Sequence, residues 1–167
     1  MPTSADPGRG NKIEAVVVGL LARRGKTLAL AESCTGGLIA NRITNVPGAS
    51  EIFPGGIVAY SNEAKRRFLG VRAKTLAQHG ALSDAVAREM AAGARKKFGA
   101  DFAIAVTGIA GPGGGTKNKL VGTVFIALAG KGGTVVERKW NPFGREKFKR
   151  ITANQALKML RQRLMRT

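Results

Sequence analysis

The sequence predicts an α/β fold, a single three-layer α/β/α domain around a mixed sheet. Apolar runs of strand length alternate along the chain with amphipathic segments of helical period. No internal repeat and no long linker divides the 167 residues, and a chain of this length fits one domain. A hydrophobic content of 44% supplies a core. We therefore expect one domain over residues 11–167, preceded by a disordered tail over residues 1–10.

The first half of the chain alternates helix and strand. Apolar residues recur at helical spacing from Ile13 to Leu21, and Gly25 follows as a stop. The next elements are a strand over Thr27 to Ala31, a helix over Gly36 to Thr44, and a β-branched strand over Ile57 to Tyr60.

In the second half, Ser61 resembles the N-cap of a short helix that reaches Leu69, and Ser83 caps a longer helix. The apolar stripe of this longer helix consists of Val86, Met90, Ala94 and Phe98. Strands follow at Phe102 to Val106, Gly122 to Ala129 and, at the edge, Thr134 to Trp140. A basic amphipathic helix over Arg145 to Leu164 closes the chain, with Phe148, Ile151, Leu157, Leu160 and Leu164 inward.

The hydrophobic runs, the cysteine content and the net charge indicate which cellular compartment and which binding partners to expect. No apolar run approaches the roughly 20 residues that span a bilayer, and residues 1–10 lack the apolar core of a signal peptide. The only cysteine, Cys34, is typical of a reducing compartment, so we expect a cytoplasmic protein without membrane contact. The net charge of +18 is compatible with an anionic small substrate or nonspecific contact with nucleic acid, but basic runs of this kind are more typical of solvated helix faces.

Three loops that follow apolar strands carry the reactive side chains. They hold Ser33, Cys34 and Thr35, then Tyr60 and Lys65, then Thr107. If the three strands are parallel neighbours, these side chains converge at one sheet edge. A hydroxyl becomes a nucleophile when a base takes its proton, and a lysine of lowered pKa can be that base. A capping serine and a surface lysine would produce the same pattern.

Two glycine-rich segments are candidate anion sites. The helix start after Gly36 and Gly37 offers backbone N–H groups for an oxyanion or a phosphate. The loop from Gly108 to Gly115 lets the backbone approach a ligand closely. This loop is neither a Walker loop nor a Rossmann fingerprint, because it has no Gly-Lys-Ser/Thr ending and a strand follows it. A flexible turn would have the same composition.

Metal chemistry and cofactors are not expected. One histidine and one cysteine do not make a usual zinc site. A Cys34–His79 pair would be a thiol alternative, although nothing in the sequence places these two residues together.

Five separate motifs resemble the CinA C-terminal domain family, the competence/damage-inducible proteins. They begin with Ala31-Glu32-Ser33-Cys34-Thr35-Gly36-Gly37, and the other four are Val46-Pro47-Gly48-Ala49-Ser50, Gly55-Gly56-Ile57-Val58-Ala59-Tyr60-Ser61-Asn62-Glu63-Ala64-Lys65, His79-Gly80-Ala81-Leu82-Ser83 and Ala105-Val106-Thr107-Gly108-Ile109-Ala110-Gly111-Pro112-Gly113-Gly114. The resemblance runs in order from about Ile13 to the end.

This resemblance implies nicotinamide mononucleotide deamidase activity, a metal-independent hydrolysis of the carboxamide to nicotinate mononucleotide and ammonia. Larger members carry an additional N-terminal domain that resembles molybdopterin-binding proteins. We expect this chain to be the stand-alone deamidase form.

The resemblance also implies residue roles. Ser33 would be the nucleophile and Lys65 the proton acceptor, with Ser50 and Tyr60 beside them. Thr35, Gly36, Gly37, Thr107, Gly108, Gly111 and Gly113 would bind the substrate, and Arg145 would hold its phosphate. Ser50 is the second candidate for the nucleophile and Cys34 the third. Relatives have Gly-Asp-Arg where this chain reads Phe143-Gly144-Arg145, so an aspartate that could orient Arg145 is missing.

Two other classes of function stay open. The charge of +18 favours a nucleic-acid-binding module, but aromatic residues total only 5% and supply no stacking platform. A noncatalytic nucleotide sensor would keep the pocket and lose the reaction. Each of these hypotheses, the deamidase included, is compatible with a homodimer or a higher oligomer.

Overall fold

The computed structural model describes residues 12–166, so the tail expected over residues 1–10 lies outside the described residues. The helices are α1 (Ile13–Arg23), α2 (Leu38–Thr44), α3 (Asn62–Leu69), α4 (Ala73–His79), α5 (Asp84–Phe98) and α6 (Arg145–Arg166). The strands are β1 (Leu28–Glu32), β2 (Gly55–Val58), β3 (Phe102–Gly108), β4 (Thr123–Gly130) and β5 (Gly133–Trp140), and a 3-10 turn covers Ala49–Glu51. Among the described helices, none is long and apolar enough to cross a membrane.

The five strands form one mixed sheet in the order β2-β1-β3-β4-β5. β1 pairs in parallel with both β2 and β3, whereas β4 and β5 are antiparallel to their neighbours. The carboxyl ends of β2, β1 and β3 therefore meet at the same sheet edge, which is where ligands bind in open α/β sheets.

Alternation along β1 and β3 separates two cores and confirms the three layers. Leu28, Leu30 and Ile104 point to the face covered by α1, α2 and α6. The intervening residues on the other face are alanines, among them Ala29 and Ala103, and they pack under α5. Because alanine is small, α5 packs close to the sheet on this face.

Most predicted elements are confirmed, including both serine caps. Ser61 Oγ accepts from the Ala64 N–H and Ser83 Oγ from the Val86 N–H. β2 both begins and ends two residues earlier than predicted: Gly55 and Gly56 of the expected turn pair with Ala29 and Leu30, and Tyr60 lies beyond the end of the strand. Helix α4 was not predicted, since its seven residues carry little apolar periodicity. In α6, Ile151 is only half-buried.

Candidate active site

A pocket of about 440 Å³ opens at the carboxyl edge of the parallel strands, between the ends of β1, β2 and β3 and the start of α6. A volume of this size suits a small organic ligand. The sequence-predicted residues in its wall are Ser33, Cys34, Tyr60, Lys65, Thr107, Gly108, Gly111, Gly113 and Arg145. The expected convergence of three strand ends is thus what the structure shows.

Ser33 and Lys65 are in direct contact. Lys65 Nζ donates a 3.1 Å hydrogen bond to Ser33 Oγ, and it lies 3.4 Å from the Tyr60 carbonyl oxygen. Ser33 follows β1, while Lys65 lies in the first turns of α3, which Ser61 caps. The two side chains therefore come from separate elements that the parallel β1–β2 pair brings together.

The Lys65 amine is buried without an opposing charge. Lys65 is only 2% exposed, and among residues 12–166 no carboxylate forms an ion pair with it. Burial disfavours the ammonium form, so the pKa of Lys65 lies below its usual range. A lysine in this state can accept a proton from the serine hydroxyl beside it.

Cys34 has the opposite chemistry. Its side chain reaches the pocket wall but is 5% exposed. Burial raises the pKa of the Cys34 thiol to about 12, so the thiol stays protonated near neutral pH. Because the thiolate is the nucleophilic form, these surroundings disfavour Cys34 as the attacking group. His79 lies at the end of α4 and is not in the pocket wall.

Tyr60 and Thr107 lie at the other two strand ends. Tyr60 is 62% exposed at the pocket mouth, so its phenol is accessible to a ligand. Thr107 is buried, and its hydroxyl donates a 2.9 Å hydrogen bond to the Ala81 carbonyl oxygen. This bond ties the loop before α5 to the end of β3, and both segments form the pocket wall.

The helix start after Gly37 is not an open anion site, which corrects the expectation for Thr35, Gly36 and Gly37. The Glu32 carboxylate accepts from the backbone N–H groups of Ile39 and Ala40, both at 2.9 Å. The Thr35 hydroxyl also donates to Glu32, at 2.6 Å. These groups lie outside the pocket wall and are satisfied within the chain.

Ser50 lies at the wrong end of the sheet. It is exposed in the 3-10 turn that follows α2, and two residues later the Ile52 carbonyl oxygen accepts from the Leu28 N–H at the start of β1. Ser33 follows the end of that strand. The expectation that Ser50 lies beside Ser33 is therefore wrong within one chain, because five residues of β1 separate the two positions.

Among residues 12–166, the pocket wall has three basic side chains, Lys65, Lys119 and Arg145, and no carboxylate. Arg145 begins α6, so the glycine at position 144 does not displace it from the site. Lys119 Nζ donates a 2.7 Å hydrogen bond to the His79 carbonyl oxygen, which leaves further donors on this amine for a ligand. Three polar residues of the wall were not predicted from the sequence: Lys119, Asn62 and Thr116. The available signal for Lys119 was its position shortly after the glycine-rich loop.

Within residues 12–166, no three His, Cys, Asp or Glu side chains lie close enough together to hold a metal ion.

Comparison with known proteins gives consistent results. A family model described as the CinA C-terminal domain matches residues 10–164. A CinA-like protein of Geotalea daltonii is 54% identical over 157 residues, which cover 93% of this chain and 38% of that protein. One of Geobacter sulfurreducens is 53% identical over 155 residues, with the same coverage. The chain thus spans little more than a third of the length of these curated relatives.

Solved structures of similar length also match. The competence/damage inducible protein CihA of Agrobacterium tumefaciens superposes with a TM-score of 0.87 at 40% identity, covering 95% of this chain and 97% of that one. A CinA superfamily protein of Klebsiella pneumoniae gives a TM-score of 0.90 at 36% identity, covering 93% and 97%.

Removing the buried amine should stabilise the protein. We predict that Lys65→Met raises the free energy of unfolding near neutral pH by about 0.5–2 kcal/mol, because it removes a charge that burial disfavours. The unfolded state binds more protons than the native state between the lowered native pKa and the ordinary lysine value. The wild-type stability should therefore rise with pH in that window, and the gain from Lys65→Met should shrink.

Urea denaturation at several pH values measures this difference. Lys74→Met, which replaces an exposed lysine of α4, is the control and should change stability little. A Lys65→Met protein that is less stable than the wild type would contradict the assignment of a disfavoured ammonium.

Proposed function

This chain belongs to the CinA C-terminal domain family, and from that premise we propose that it is an amidohydrolase that converts nicotinamide mononucleotide to nicotinate mononucleotide and ammonia. The observation that carries the proposal is the 3.1 Å contact between Lys65 Nζ and Ser33 Oγ in a pocket whose described wall has no carboxylate. A nucleophile paired with a base of lowered pKa is an arrangement that can cleave an amide.

In the first half of the proposed reaction, Ser33 is acylated. Neutral Lys65 accepts the hydroxyl proton as Ser33 Oγ attacks the carboxamide carbon, and a tetrahedral intermediate forms. The new Lys65 ammonium lies beside the developing oxyanion and stabilises it in a site of low dielectric constant. The carbon–nitrogen bond then breaks, Lys65 returns the proton to the leaving nitrogen, and ammonia departs.

In the second half, water releases the product. Neutral Lys65 takes a proton from a water molecule, which attacks the acyl carbon of the Ser33 ester. The ester carbon–oxygen bond breaks, the proton returns to Ser33 Oγ, and the pyridine carboxylic acid that is released gives its proton to solvent and becomes the carboxylate. Since one amine serves as base and then as acid in both halves, the cycle needs only that Lys65 alternate between its two protonation states.

The other two cations of the pocket would bind the phosphate of the mononucleotide. Arg145 offers a guanidinium that matches phosphate geometry, and among the described residues no carboxylate pairs with it. Lys119, four residues after the glycine-rich loop, adds a second positive charge, and the backbone of Gly111 and Gly113 allows close approach. This charge distribution favours an anionic substrate over free nicotinamide.

The serine–lysine pair leads to a test by substitution. Ser33→Ala should lower kcat for ammonia release by at least about a thousandfold, the order of loss expected when a nucleophile is removed. Lys65→Arg should do the same, because a guanidinium does not give up its proton at accessible pH. Cys34→Ala, the matched control, should keep most of its activity.

The pH profile gives a second readout from the same assay. For the wild type, kcat/KM should rise with pH as Lys65 loses its proton, with a midpoint below the ordinary lysine value of about 10.4. Full activity in Ser33→Ala, or loss in Cys34→Ala alone, would refute the assignment of the nucleophile.

The phosphate site is tested by comparing two substrates. Arg145→Ala and Lys119→Met should each raise KM for the mononucleotide by roughly ten- to a hundredfold, since each removes a charged hydrogen bond worth about 1.5–3 kcal/mol. Nicotinamide riboside has no phosphate, so its kcat/KM should change little in either variant. Lys74→Met is the control for a general charge effect, and equal losses on both substrates would contradict the phosphate assignment.

A further inference from the structure

Glu32 is a buried charged residue that the proposed reaction does not use. It is the last residue of β1, directly before Ser33, and it is only 1% exposed. Its Oε1 accepts from the Thr35 hydroxyl and the Ile39 N–H, and its Oε2 accepts from the Ala40 N–H. In the described part of the chain, no lysine or arginine forms an ion pair with it.

These bonds replace the missing cap of α2. The N-cap residue of that helix is Gly37, which has no side chain to accept from the first turn. Glu32 supplies the acceptor from seven positions before Ile39, and the chain between them forms a closed loop. Its negative charge lies at the positive end of the helix, where a carboxylate is stabilised without a cation.

Ser33 lies inside this closed loop. Its backbone N–H donates to the Val106 carbonyl oxygen of β3, and its own carbonyl oxygen accepts from the Gly36 N–H. Glu32 and Thr35 close the loop on either side of Ser33 and Cys34. The backbone of Ser33 is thus held by β3 and, through the neighbouring Glu32, by α2, and neither of these elements contributes Lys65.

We propose that Glu32 is the positioning residue of the site, whose carboxylate joins β1 to the start of α2 and so holds Ser33 Oγ against Lys65 Nζ. Its role in substrate turnover rests on the proposed function. The reactivity of Ser33 does not rest on the proposed function, because it can be measured with an electrophile that enters the pocket and reacts with the serine hydroxyl.

Glu89 provides a matched control. Its carboxylate also stabilises a helix start, since it accepts from the Arg72 N–H at the N-cap of α4 and from the Thr75 hydroxyl in the first turn. Glu89→Gln and Glu32→Gln therefore make the same chemical change at a carboxylate that binds a helix start, at different distances from Ser33, although Glu89 is less buried and also forms an ion pair with the Arg72 guanidinium. A merely structural role predicts similar behaviour for the two variants.

The test combines turnover with covalent labelling. In labelling by a fluorophosphonate, the Ser33 Oγ–phosphorus bond forms, the phosphorus–fluorine bond breaks, fluoride leaves and Lys65 takes the hydroxyl proton. Mass spectrometry of the modified peptide gives the rate. Glu32→Gln should slow labelling and lower kcat by roughly ten- to a hundredfold, the loss expected from a displaced nucleophile, with KM nearly unchanged. Glu89→Gln should keep both rates.

Thr35→Val is a second variant for the case in which Glu32→Gln is poorly folded. It removes only one of the three hydrogen bonds of the Glu32 carboxylate. The labelling rate and kcat should therefore fall as in Glu32→Gln, but by less. Labelling of Ser33 in the wild type without ammonia release would refute the proposed function and leave the role of Glu32 standing. Wild-type labelling rates in Glu32→Gln, equal losses in Glu89→Gln, or no labelling of Ser33 in the wild type would overturn the inference.

Discussion

The site depends on a lysine amine that is buried against a serine hydroxyl and that has no carboxylate partner among residues 12–166. A buried ammonium is expensive, and proteins usually compensate it with an opposite charge. Within the described residues, the Lys65 amine contacts Ser33 Oγ and the Tyr60 carbonyl oxygen, and neither of these oxygens is an anion. Burial of this amine reduces the stability of the fold, so other interactions must compensate for it. The same burial lowers the pKa of an amine that contacts a hydroxyl.

The sheet provides that stability and sets the geometry. Parallel pairing of β1 with β2 and β3 brings three loops to one edge, and large apolar side chains on one face alternate with alanines on the other. The alanine face lets α5 pack closely, so the loop before it reaches Thr107. On the opposite face, α2 starts directly over the Ser33 loop, and Glu32 joins the helix to the strand.

The sequence predicted the parts of the site that follow from local patterns. An apolar run that ends in Glu32-Ser33 predicts a strand end, and Ser61 predicts the start of the helix that carries Lys65. Ser33 and Lys65 therefore converge if the two strands before them are parallel neighbours. Ser50 was misplaced because a motif near a turn does not encode which sheet edge the turn occupies. The hydrogen bonds of Glu32 were not predictable either. Gly36 and Gly37 indicate the start of a helix, but they do not indicate whether its backbone N–H groups are free or are already bound by a side chain from the preceding strand.

The central claim is that Ser33 forms a covalent acyl intermediate with Lys65 as its base. Rapid quenching of the protein during turnover of nicotinamide mononucleotide, followed by mass spectrometry of intact protein and peptides, measures this directly. We expect an added mass equal to that of the substrate less ammonia on the peptide that contains Ser33, located at that residue. An adduct on Cys34, or steady release of ammonia with no adduct on any residue, would contradict it.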